Sequence, residues 1–330
     1  MKNKHIIKNS FINIRHVPEN FDYNDLSHFK SDLYSINKDI HIKIVCNARV
    51  IQRYVYKNGL IQNDYVHTHG VNLKTKIIAF LKPLFNIVEY TIPEGVWVLD
   101  TWSKGYFHFL TDLLPRCLTA KEYWENYPIL LPSYYLDLNY IKETLQIFPF
   151  KIFEFGIYSS FKVKDLIMTS RLRSCAFDPD QIKLVRNFFR MNDEFNLKKD
   201  ELIYISRKLS SRRKVLNEEE LKNFLESKGF KIIIAEKFSF EEQRRLMSKS
   251  KLVISNHGAG LTNMLFMPDN SIVVELKANV STINNCYFNL ARALDHKYYY
   301  TLNKANSKDV QKADIYVDIK KLDQLLNDLL

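Results

Sequence analysis

The sequence predicts an α/β protein of two Rossmann-like, doubly wound halves, and three observations carry that prediction. Its 330 residues allow about two domains, at roughly 150 residues each. From Gly95 onward short apolar runs alternate with helical segments, the pattern of parallel βαβ units. After a polar, aperiodic stretch from Met191 to Asp200 the alternation repeats more cleanly, with five strands and a helix in each gap. The expected divisions are 1–195, 196–315 and a C-terminal helix over 316–330 that packs back on the first half.

In chain order, Ile42–Val45 and Val50–Tyr56 read as strands with a turn at Lys57-Asn-Gly59, and residues 1–92 carry no chemical motif. Val96–Leu99 is a strand ending at Asp100, followed by a helix over Tyr106–Leu114. Tyr127–Leu131, Ile152–Phe155 and Leu166–Thr169 are further strands, with a helix over Tyr140–Ile147. Asp178-Pro179 opens a helix, which accounts for Asp178-Pro-Asp180 better than a metal-binding DxD does. In the second half the strands are Leu202–Ser206, Lys231–Ala235, Leu252–Ser255, Ser271–Leu276 and Tyr298–Leu302. Asn217 and Ser239 each begin a capping box, Gly229 closes the first of the two helices, and a further helix runs from Thr282 to Leu294. Ile319, Leu322, Leu325, Leu326 and Leu329 make the last helix amphipathic.

Composition narrows the class. Hydrophobic residues at 46%, with 22 Phe and 19 Tyr, offset ordering entropy and exclude a disordered chain; 8 Gly and 9 Pro exclude fibrous and low-complexity architectures. A net charge of +11 favours polyanionic partners: nucleic acid, anionic lipid or phosphorylated small molecules. Cys46, Cys117, Cys175 and Cys286 show no CxxC and no Cys/His ligand spacing, so neither a zinc site nor a disulfide scaffold is expected, only reduced thiols in a cytosolic protein. Met1–Asn9 is basic but lacks the apolar core of a signal peptide. The apolar stretch Ile77–Val88 is interrupted by Lys82, Pro83 and Asn86 and is too short to span a bilayer. The expectation is a soluble, cytoplasmic protein able to sit peripherally on the inner membrane surface.

Three motifs carry chemistry. In Asn256-His-Gly-Ala-Gly-Leu-Thr-Asn263 a strand passes into a helix; Gly258 and Gly260, on either side of Ala259, allow close backbone approach, and the helix start offers free N–H groups to a phosphate. His257, Thr262 and Asn263 add polar groups, and Glu275 at the end of the next strand is placed to accept from ribose hydroxyls. Taken alone, GxG is equally a simple turn, and Asn263 stands where a dinucleotide fingerprint has its third glycine. In Ser206–Lys214, Arg207, Lys208, Arg212, Arg213 and Lys214 follow a strand with no acid among them; Arg forks bind phosphates bidentately, although such a run is also an ordinary solvated loop. In Gly105–Arg116, His108 and Asp112 lie four apart on the face opposite the apolar stripe, a candidate general-base pair or a local surface ion pair; Arg116 continues their row, less securely because Pro115 kinks the helix near Thr111. No GxSxG accompanies the HGxG, so a hydrolase elbow is missing.

Taken together, Gly105–Arg116, Tyr204–Arg207 with Arg213 and Asn217-Glu218, and Asn256–Asn263 through Glu275 resemble glycosyltransferase family 61, in order and spacing, over roughly Gly95–Leu294. That family includes plant xylosyltransferases and animal O-GlcNAc and O-mannose-linked GlcNAc transferases. The resemblance implies a GT-B fold, with two Rossmann-like domains facing a cleft. It implies inverting transfer from a nucleotide sugar, a UDP-sugar above all, to a glycan or lipid-linked glycan, with no cofactor and no essential metal. By position, Arg207 and Arg213 would hold the diphosphate, residues 257–263 would wrap the phosphates, Glu275 would bind ribose, and Asp112 with His108 would act on the acceptor. The first half is then the acceptor side and the second the nucleotide-sugar side. A Lys/Asn/Ile-rich composition points to an AT-rich, bacterial genome and to surface polysaccharide assembly. Two alternatives belong to other classes: a nicotinamide-dependent oxidoreductase, which the strand–GxG–helix–acid order permits, and a nucleic-acid-binding module, for which no zinc finger or RNA-recognition motif speaks.

Overall fold

The computed structural model describes residues 4–52, 54–62, 73–85, 87–123, 125–191, 199–281 and 284–330. The expected linker at 191–200 and the expected helix start at Thr282 lie largely outside them. The chain is mixed α/β and divides into two compact units, 1–11 with 36–174, and 12–35 with 175–330. The division therefore falls at 174/175 rather than 195/196, and a piece of the N-terminal region belongs to the second unit.

The first unit holds β1 (Lys4–Lys8), β2 (Ile40–Ile51), β3 (Tyr54–Lys57), β4 (Leu60–Ile61), α1 (Leu73–Phe85), β5 (Tyr90–Trp97), a helical stretch α2 over 106–119, β6 (Ile129–Pro132), α3 (Asn139–Ile147), β7 (Ile152–Phe155) and β8 (Ser160–Thr169). Its strands order β4-β3-β2-β8-β5-β6-β7, with β1 also on β2. The β8-β5-β6-β7 part is parallel, as predicted, but β2 runs antiparallel to β8 along its whole length and continues into β3 and β4. This sheet is mixed, where an all-parallel, doubly wound one was expected; the difference comes from the segment in which no motif could be read. Trp97, Phe161 and Ile167 are fully buried on its strands.

The second unit carries the sheet that is parallel but for one edge pair. It contains α4 (Pro179–Met191), β9 (Glu201–Ile205), α5 (Glu218–Ser227), β10 (Lys231–Ile233), α6 (Phe240–Met247), β11 (Ser250–Asn256), a 3-10 helix (Ala259–Phe266), β12 (Ile272–Ala278), α7 (Cys286–Ala293), β13 (Lys297–Ala305), β14 (Ile315–Tyr316) and α8 (Ile319–Asn327). The order is β10-β9-β11-β12-β13-β14, parallel except for the last pair. Such strands are covered on both faces, which is why they read as near-continuous apolar runs. Ser239 and Glu242 form the expected capping box; Asn217 does not, its amide donating instead to Glu220 and to Val317 O. Gly229 closes α5 with φ +85, where a side chain would be strained. Leu322 and Leu326 of α8 pack with Tyr204, Leu221, Leu225 and Val274. The C-terminal helix thus completes the core of the second unit and not that of the first.

Residues 12–35 are built into the same unit. Phe29 is fully buried against Phe288 and Tyr300, Glu19 N–H donates to Tyr298 O, and Asn20 Nδ2 donates to Tyr300 O. Cys175 and Cys286 form a disulfide, Cα–Cα 4.9 Å, across 111 residues of sequence. This corrects the expectation of four reduced thiols: separation along the chain carries no record of the pairing, and such bonds persist in oxidising compartments. Cysteine usage therefore no longer supports a cytoplasmic placement. Among the described residues no helix is long and apolar enough to cross a membrane.

His296, just before β13, is buried and its Nε2 pairs with Met264 O at 2.9 Å. Burial holds its pKa at about 4, against 6.5 for an ordinary histidine. As pH falls through that window the unfolded chain takes up a proton that the folded chain refuses, so stability is lost. We expect the unfolding free energy to drop by roughly 3 kcal/mol from this residue between neutrality and about pH 4. Urea titrations of His296→Gln should show a correspondingly shallower decline.

Candidate active site

The chemistry-bearing residues form two groups, one in each unit. In the first, the apolar run of β5 continues to Leu99 and the chain turns at Asp100, whose Oδ1 accepts from Trp102 N–H (2.8 Å) and Ser103 Oγ (3.1 Å). Asp100 is buried; burial alone would raise its pKa, but Arg171, then Arg116, hold it below the usual carboxylate value. Arg171 Nε donates to Asp100 Oδ2 at 2.7 Å, and its Nη2 lies 3.4 Å from Asp112 Oδ2.

The same Asp112 oxygen is 2.7 Å from His108 Nδ1. Pro115 has no N–H for the Thr111 carbonyl, and the helix answers with one π-turn, Phe109–Leu113, in which Leu114 N–H reaches Phe109 O. The expected kink is thus a local widening that keeps His108 and Asp112 on one face. It takes Arg116 off that row: Arg116 is buried and donates to Thr169 Oγ1 and O at 3.2 and 3.0 Å. With a carboxylate facing Nδ1, a neutral imidazole would carry its proton there and leave Nε2 as the acceptor. His108 is the more open partner, its side chain 23% exposed against 12% for Asp112, and the Trp102 ring flanks it at 5.1 Å. Such a pair is able to accept a hydroxyl proton at Nε2 with Asp112 holding the ring.

In the second unit the groups gather at the carboxyl ends of β9 and β11. Arg207 donates from Nε to Arg213 O (3.1 Å) and from Nη2 to Ser210 Oγ (2.7 Å) and Arg212 O (3.2 Å), while Asn256 Nδ2 also donates to Arg213 O at 2.7 Å. Arg213 itself has φ +55, a strained conformation for a side chain of its size, and its Nε is buried with no hydrogen-bond partner among the described residues. Lys208 pairs with Glu219 on the surface. A Cβ on Gly258 would lie 1.8 Å from Arg207 Nη1, and one on Gly260 would lie 2.9 Å from Ile205 Cγ2. Gly258 is needed for that close approach and not for its backbone angles, which are extended. Beyond it, Ala259 is exposed and Gly260 partly so, leaving the start of the 3-10 helix open.

His257 Nδ1 meets Glu275 Oε1 at 2.5 Å, Tyr298 Oη donates to Glu275 Oε2 at 2.6 Å, and Lys277 stands 3.9 Å from the same oxygen. Burial would raise the Glu275 pKa, but Lys277, His257 and these hydrogen bonds bring it down to about 2. Burial pushes His257 the other way, below an ordinary histidine. The neutral ring donates Nδ1–H to Glu275 and keeps Nε2 as an acceptor, or as a second donor once protonated beside an anion.

Two sequence expectations change here. Glu275, expected to face a ribose, is 0% exposed here with its oxygens on His257 and Tyr298. Thr262 and Asn263 are equally buried, Asn263 donating to Gln243 at 2.9 Å, and form the wall behind the loop, not its phosphate face. Sequence reasoning also passed over Arg171, Asp100, Asn256 and Lys277. Arg171 had a signal: Ser170-Arg171 follows β8 as Ser206-Arg207 follows β9.

Residues 106–274, just over half of the chain, match the family model described as Glycosyltransferase 61. The chain belongs to glycosyltransferase family 61. As a member it is 39% identical over 99 residues to the EGF domain-specific O-linked N-acetylglucosamine transferase of Gallus gallus, covering 28% of this chain and 18% of that protein. It is 34% identical over 100 residues to the enzyme of the same description in Drosophila melanogaster, covering 29% and 19%. The beta-1,2-xylosyltransferase XAX1 of Oryza sativa subsp. japonica is 23% identical over 216 residues, covering 57% of this chain and 37% of that protein. These alignments span well under half the length of the relatives. The family match runs from the His108 helix through β9 and the glycine loop to the first three residues of β12, so both groups of residues fall in it or at its edge.

Proposed function

We propose that this family 61 glycosyltransferase is an inverting enzyme of the GT-B type, moving a sugar from a nucleoside-diphosphate sugar, a UDP-sugar by preference, to a glycan or lipid-linked glycan hydroxyl in surface polysaccharide assembly. His108 Nε2 takes the acceptor proton, with Asp112 and Arg171 fixing its ring. The hydroxyl oxygen attacks the anomeric carbon as the bond to the diphosphate breaks. Arg207, Arg213 and the amides of Ala259 and Gly260 receive the charge that develops on the leaving oxygens, stabilising the transition state more than the ground state. The guanidinium groups take the part a metal plays elsewhere, so no metal enters the reaction. One observation supports the reading: the Arg207 guanidinium lies against Gly258, and Arg213 lines one pocket with Asn256 and His257, at the carboxyl ends of two adjacent parallel strands, where open α/β sheets bind ligands.

A thermal-shift and calorimetric screen of nucleoside diphosphates, nucleotide sugars and NAD tests it. The donor's diphosphate should stabilise the protein by about 2.7 kcal/mol at a hundredfold excess over Kd. Binding of NAD with no response to any nucleoside diphosphate would overturn the proposal in favour of oxidoreduction.

A further inference from the structure

In α1 of the first unit the apolar side chains face away from the protein. Ile77, Ile78, Phe80, Leu81, Leu84 and Phe85 fall within about half of the helix circumference, and they are 37–80% exposed. Ile87, just beyond the helix, is 85% exposed. On the other side Lys82 turns inward, bonding Gln52 and lying 5.1 Å from the Tyr54 ring. A surface helix of a soluble domain normally shows the reverse, with its apolar stripe on the core and its charges in water. A contiguous exposed apolar face of this kind marks a docking surface.

The surrounding charge selects the occupant. From residue 40 to 88, the segment that contains β2, β3, β4 and α1, there is one acid, Asp64, against Lys43, Arg49, Arg53, Lys57, Lys74 and Lys76 besides the inward-turned Lys82. A second copy of the chain docked face to face would bring two such basic surfaces together. An anionic lipid surface answers both features, taking the apolar face among its acyl chains and the lysines among its headgroups. We propose that α1 is a peripheral anchor that lies in the interface of an anionic membrane. The proposal is independent of the transfer chemistry and stands or falls apart from it.

Co-sedimentation with vesicles tests it, using phosphatidylcholine alone and phosphatidylcholine mixed with phosphatidylglycerol. The wild-type chain should pellet with the anionic vesicles, less so at high salt. Leu84→Glu combined with Phe85→Glu should lower partitioning by on the order of tenfold or more, with the circular dichroism spectrum and the nucleotide-induced thermal shift unchanged. Should that variant fail to fold, Phe85→Trp provides a second measurement: the emission of the introduced indole should move to the blue and be quenched by brominated lipid. Failure of the wild type to bind any vesicle, partitioning insensitive to the double substitution, or emission from the Phe85→Trp variant that brominated lipid leaves unquenched would overturn the proposal. So would a wild-type dimer that the double substitution makes monomeric.

Discussion

Replacing His108 by alanine lowers kcat by on the order of a hundred- to ten-thousandfold, with the protein still folded. The residue sits on the open face of its helix, and the apolar stripe that anchors the helix, Phe109, Leu110, Leu113 and Leu114, is untouched. The loss should fall on kcat because, in the proposed mechanism, Nε2 acts on the acceptor hydroxyl only as its proton departs. Asp112→Asn should cost nearly as much for a different reason. An amide in that place can donate to Nδ1, which forces the ring proton onto Nε2 and removes the base while leaving the 2.7 Å contact in place. Steady-state kinetics over a pH series checks both. If His108→Ala keeps wild-type kcat while Asp112→Asn abolishes it, the carboxylate is itself the base.

Arg207→Ala should lower kcat and kcat/KM together by roughly a hundredfold or more, since in the proposed mechanism the charge it meets develops in the transition state. Gly258→Ala should come close to the same loss with no change at the arginine itself. Its new methyl would stand 1.8 Å from Nη1 and 2.5 Å from Cζ of Arg207, so the guanidinium must leave its place over the loop. The two changes act through one group, and the double variant should be little worse than either alone. An unchanged kcat in Arg207→Ala would end the leaving-group role. Full additivity would mean that Gly258 acts through something other than Arg207.

Legibility in the sequence followed the range of the interactions. The second unit was readable because its parallel strands are buried on both faces and its helices carry local signals, a capping box at Ser239 and a left-handed Gly229. The first unit was readable only in its parallel part, because β8 lies between β2 and β5, and pairing between residues 42–51 and 160–169 leaves no trace in local periodicity. The site divides in the same way. His108 with Asp112, and Gly258 after a strand, are short-range patterns and were found. Glu275 was picked by residue type, but its partners were not, since Tyr298 and His257 reach it from other elements. The Cys175–Cys286 bond was missed for the same reason.

The placement of residues 12–35 in the second unit has a consequence for how the polypeptide comes off the ribosome. Asn20 and Tyr300, which bond each other, are 280 residues apart. At about 5–20 residues per second the early segment waits tens of seconds for its partner strand to be made. Phe29 therefore stays exposed through most of synthesis. A fragment begun at Cys175 would lack the lining that covers Phe288 and Tyr300.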